Sequence, residues 1–132
     1  MKEVFDLVPK NKTDISGIEE LSRIKAEKAE PILGLLLEWI KDLNWPAARE
    51  LIKVLPRFHR QLVPHIKTVL HSDDDIWKSW VLLMLQDFPP ETVSLLSDDI
   101  RRIAYSPAET EVLEETHEYA QEILTQFQLN SE

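Results

Sequence analysis

The sequence predicts an all-α protein, and three observations predict it. Only 2 of its 132 residues are glycine, its 8 prolines fall at intervals, and apolar residues recur at spacings of three and four with no strand-like alternation. A proline, an apolar run, a short polar break and a tryptophan-led helix occur twice, at Pro31 and Trp45 and again at Pro64 and Trp77. Recurrence at about 32 residues is how stacked helix pairs look in sequence. The expected architecture is about three such pairs plus an N-terminal helix, in one helical-repeat domain over residues 1–132.

The first helix is expected over about 14–30, with Ile15, Ile18, Leu21 and Ile24 on one face and Thr13 or Asp14 as its N-cap. Gly17 weakens its first turn. A second helix opens at Pro31 and carries Ile32, Leu35, Leu36, Trp39, Ile40 and Leu43, a stripe so broad that both sides must be covered. Asn44 caps a third, with Trp45 and Pro46 in its first turn, Ala47, Ala48, Leu51, Ile52 and Leu55 inward, and Pro56 at its end. The second copy begins with a helix over about 60–71, where Pro64 lies near the start or kinks it. After a break at 72–75, a core helix over 76–86 places Ile76, Trp80, Leu83 and Met84 on one face. A third, divergent copy starts at Pro89 and Pro90 and turns Val93, Leu95, Leu96, Ile100 and Ile103 inward. Past Pro107 it continues as one long helix carrying Val112, Leu113, Thr116, Tyr119, Ala120, Ile123, Leu124 and Phe127. Residues 129–132 read as a frayed tail.

Composition narrows the function classes. Cysteine is absent, which removes disulfides, thiolate catalysis and sulfur-ligated zinc, and suits a reducing cytosol. The start of the chain lacks a signal-peptide pattern, and no apolar run is long enough to span a bilayer, so a soluble, cytoplasmic protein is expected. With 24 acidic residues against 15 Lys and Arg, the net charge of -9 repels phosphate backbones and anionic lipid, which argues against nucleic acid and membrane as partners. The surplus is uneven. Residues 109–122 hold six glutamates and no Lys or Arg, whereas 57–67 hold three basic residues, two histidines and no acid.

The strings Trp39, Ile40, Lys41, Asp42, Leu43, Asn44, Trp45, Pro46 and Leu62, Val63, Pro64, His65, Ile66, with Asp73, Asp74, Asp75, Ile76, Trp77, Lys78, carry a likeness. The chain resembles a bacterial domain family of unknown function whose members are short proteins with HEAT-like helical repeats. The likeness extends over most of the chain. It implies an α-α superhelix of HEAT-like pairs and a bacterial origin, and it supplies no active site.

Candidate functional residues follow from local chemistry. Asp73, Asp74 and Asp75 put several oxygens close together, as a hard cation requires, but the turn glycine and closing glutamate of a calcium loop are missing. The plainer reading makes one of them an N-cap and the others favourable charges at the start of the following helix. His59, His65 and His71 lie six residues apart and scatter around a helix, so they form no single metal site there. His117 stands among Glu114 and Glu118, where a lone surface histidine is the default over a metal ligand. Trp45 and Trp77 occupy first turns at equivalent repeat positions and are the tryptophans best placed to meet a partner.

No nucleophile elbow, Cys–His pair or phosphate-cradling glycine loop is present. The expectation is therefore a non-enzymatic module without a cofactor, binding a protein or peptide of basic character through Trp45, Asp73, Asp74, Asp75, Trp77, Glu114 and Glu118. An immunity-type inhibitor of a toxin is its narrower form. The alternative is a metal-dependent or base-excising enzyme using Asp73, Asp74 and Asp75.

Overall fold

The computed structural model describes residues 3–129, and every regular element among them is helical. The part of the tail at 130–132 lies outside the described residues. The chain divides between His65 and Ile66 into two compact units.

The first unit opens with a 3-10 turn, Val4–Leu7, followed by α1 (Ile18–Leu21), α2 (Ala26–Ala29), α3 (Leu33–Glu38) and α4 (Pro46–Val54). Further 3-10 turns, Glu30–Ile32, Trp39–Lys41 and Leu55–Phe58, join these pieces. The single helix expected over 14–30 is instead two four-residue helices. Lys25 takes an extended conformation between them, and the Arg57 guanidinium donates to the carbonyls of Leu21 (2.6 Å) and Ile24 (3.1 Å), satisfying the end of α1 from outside. Asp14 sits before this helix in a local turn. Its carboxylate accepts from the Ser16 hydroxyl and from the Ser16 and Lys10 N–H groups, which lower its pKa to about 2.

Gly17 has a reason beyond flexibility: a Cβ there would lie 2.7 Å from the Leu7 carbonyl oxygen. In α3, Leu33, Leu36 and Leu37 are buried while Leu35 is exposed, so the expected all-round stripe is one-sided. Trp45 is the N-cap of α4, Pro46 follows it, and the first-turn N–H of Ala47 donates to the Lys12 carbonyl (2.9 Å). Pro56 does not end the chain's helical course, because α5 (His59–Leu70) starts directly after the 3-10 turn that contains it. Pro64 lies in the interior of α5, which crosses the division between the units.

In the second unit, α6 (Asp75–Met84) is followed by α7 (Pro90–Ser94), α8 (Ser97–Tyr105), α9 (Glu109–Leu113) and α10 (Thr116–Gln126). Helix α10 packs against α8 and α6 and shares with them a core that includes Val81, Leu82, Ile100, Ile103 and Leu124. Two expectations need correction here. On α6 Val81, Leu82 and Met84 are buried as expected of a core helix, but Asp75, Lys78 and Ser79 are buried beside them and Ile76 faces outward. The long final helix is broken at Glu114 and Glu115, the latter at φ 61, and Val112, Leu113 and, earlier, Leu95 are exposed rather than inward. Helix α10 ends in a Schellman arrangement, with Gln128 at φ 57 and the Leu129 N–H donating to the Leu124 carbonyl (2.8 Å).

Candidate functional site: an acidic helix face over a buried ion-pair network

The second unit holds the chain's densest chemistry. Asp74 caps α6 by accepting from the Trp77 N–H (3.1 Å), which leaves the next residue, Asp75, inside the helix with its carboxylate buried. One turn on, Lys78 Nζ donates to Asp75 Oδ1 and to Glu111 Oε2, both at 2.8 Å. Arg102 on α8 grips the same glutamate in a two-pronged contact, Nη1 to Oε1 at 2.6 Å and Nη2 to Oε2 at 2.8 Å. The Ala108 N–H completes the set at 2.7 Å from Oε1, as the N3 half of a capping box. Beneath the charges, the Thr116 hydroxyl donates to the Asp75 carbonyl (3.1 Å), and the Ser79 hydroxyl lies 3.0 Å from both.

Burial alone would raise the Glu111 pKa, but the hydrogen bonds from Arg102, Lys78 and the Ala108 N–H outweigh it and hold the carboxyl at about 2. Burial likewise opposes the Lys78 ammonium. Its two carboxylate partners prevail, and its pKa moves upward. The Glu111 contact raises Arg102 as well. Two cations, Lys78 and Arg102, thus face the carboxylates of Asp75 and Glu111.

This network fixes what the surface presents. Glu111 is 0% exposed, and with it pinned the adjacent Val112 (46%) and Leu113 (72%) on α9 must point to solvent. Past the left-handed turn at Glu115, α10 buries Thr116, Ala120, Ile123 and Leu124 and exposes Glu118 and Glu122. A depression of about 310 Å³ is lined by Glu118, Gln121, Glu122 and Thr125, and one of about 300 Å³ by Glu115, Glu118, Tyr119 and Glu122. Tyr119 sets its ring edge-on to Trp80 at 6.3 Å, and Gln121 donates to the Ala104 carbonyl (3.1 Å), so both walls are anchored.

Among the described residues, Glu109, Glu114, Glu115, Glu118 and Glu122 meet no Lys, Arg or His at ion-pair distance. Glu118 and Glu122 stand four residues apart on α10, close enough for like-charge repulsion of about 0.2–0.5 kcal/mol.

The residues singled out from sequence fall into different situations. Glu114 and Glu118 are exposed at and beyond the break before α10. Asp73 is exposed, Asp74 is spent on the cap and Asp75 on Lys78, so the three aspartates do not converge on one point. Trp77 is half-buried at the third position of α6. Trp45, in the first unit, is half-buried and edge-on to Trp39 at 5.6 Å. One tryptophan is an N-cap and the other lies inside its helix, so the two do not hold equivalent helical positions. His117 is half-buried, its Nδ1 donating to the Glu111 carbonyl at 3.3 Å.

Sequence reasoning passed over Lys78, Arg102 and Glu111; the available signal was Lys78, the lone charge in the apolar run 76–85. Among the described residues no group of three or more His, Asp or Glu is arranged to hold a metal ion, and no helix is long and apolar enough to cross a membrane.

A small all-helical protein carrying an acidic helix face is the class that this fold and site define. Residues 7–124 match the family described as a domain of unknown function, DUF5071, and the chain belongs to that family. No curated protein matches the chain.

Proposed function

We propose that the protein is a binding module for a basic protein or peptide, engaged through the outer face of α9 and α10. The observation that carries this reading is the set of unpaired glutamates on that face, Glu118 and Glu122 foremost, bordering two open depressions. Like charges held four residues apart oppose helix formation, and a cationic partner converts that cost into attraction. Asp75 leaves the contact set because its carboxylate is committed internally. The same commitment, with Asp74 acting as a cap, gives an enzyme built on the three aspartates no supporting geometry.

The reading extends to a cytoplasmic bacterial protein built of divergent HEAT-like helix pairs, supported by the succession of short helices in both units and by the lack of cysteine. An acidic inhibitor that neutralises a basic toxin surface is its narrower form.

The test is a double charge reversal, Glu118→Lys with Glu122→Lys, assayed by calorimetry against a lysine–serine peptide. Binding by the wild type and a loss of at least about tenfold in the variant are expected, since close charge pairs across an interface are worth more than 1 kcal/mol. Equal affinity for both proteins, or an equal loss in a variant reversed instead at Glu27 and Glu38 of the first unit, contradicts the reading.

A further inference from the structure

Resting on the acidic-face reading above, we infer that the partner is an amphipathic basic helix, whose apolar side seats on Val112 and Leu113 while its cations reach the glutamates on either side. The exposure of these two residues is imposed. Glu111, between Glu109 and Val112 in a five-residue helix, is held by Lys78, Arg102 and the Ala108 N–H, and that grip sets the rotation of α9. Leu113 is then 72% exposed, the most exposed large apolar side chain among the described residues.

Exposed apolar residues standing singly are ordinary, but this adjacent pair is bordered by Glu109 before it and Glu114, Glu115 and Glu118 after it. An apolar pair flanked along the chain by glutamates is the complement of a helix with leucines on one stripe and lysines or arginines beside it. Charge also selects the occupant against its rivals. A second copy meeting this face with its own would bring glutamate against glutamate, and an anionic lipid surface or nucleic acid would be repelled.

Two helical peptides with equal numbers of lysine, one alternating with leucine on a helical stripe and one with serine in those places, separate this inference from the reading beneath it. Wild-type protein is expected to bind the leucine peptide at least about tenfold tighter than the serine peptide, a difference of the order of one buried leucine contact. Leu113→Ser, at a side chain already in solvent, is expected to keep the wild-type melting temperature and to erase that preference, leaving the serine peptide's affinity unchanged. Equal affinity of the two peptides for wild type, or a leucine preference that survives Leu113→Ser, overturns the inference. If the double reversal at Glu118 and Glu122 still weakens both peptides, the acidic-face reading stands without it. If the reversal weakens neither, that reading falls.

Discussion

The Glu111 carboxylate receives four hydrogen bonds, two of them from one guanidinium, and none of the residue's surface reaches solvent. A carboxylate so enclosed is stable only while its cations stay in place, and the reverse holds for Lys78. Because its folded pKa of about 2 lies below the ordinary 4.5, its contribution is fully present above pH 4.5 and is lost as pH falls through 2. Replacing it by Gln keeps the size and removes the charge, leaving Lys78 with Asp75 alone. Glu111→Gln is expected to cost about 3 kcal/mol in denaturant unfolding at pH 7. The gap to wild type should narrow as the pH is lowered from 5 to 3, since only wild type has this proton to gain. A gap that stays constant over that range would show that the Glu111 charge is not what the network stabilises.

At the scale of the elements, local chemistry was readable and distant compensation was not. The cap at Asp74 and the first-turn place of Pro46 could be anticipated because each depends on a handful of neighbouring backbone groups. The polar part of the buried face of α6 could not, since hydrophobic periodicity turns charges outward. What lets Asp75 and Lys78 turn inward is a glutamate 33 residues beyond Lys78. The break between α9 and α10 was equally hidden: its left-handed residue is Glu115, where sequence rules look for Gly or Asn.

Of the candidate site, the glutamates were legible as a charge run, whereas the exposure of Leu113 follows from the pinning of Glu111, which no sequence spacing encodes. Gly17 reverses the usual lesson about glycine in a helix start. Gly17→Ala would force a Cβ to 2.7 Å from the Leu7 carbonyl, so thermal unfolding should show a loss of about 1–3 kcal/mol. A gain in stability would mean that α1 is not held against that backbone.

At the scale of the whole molecule, a charge of -9 spread over an all-helical chain makes nonspecific attraction to any cation unavoidable, so affinity alone cannot identify a binding face. The central claim is one of location. Some acidic side chains elsewhere, Glu19 and Glu50 among them, lie beside Arg23 and Lys53, whereas the α10 face gathers several unneutralised glutamates beside two depressions. The most direct measurement is an amide chemical-shift titration of the intact protein with the leucine–lysine peptide at about 0.15 M salt, where exposed charges more than about 8 Å apart are largely screened. The account predicts shifts concentrated at residues 109–125 and abolished by Glu118→Lys with Glu122→Lys. Shifts spread evenly over the acidic residues of both units, or unchanged by the double reversal, would contradict it.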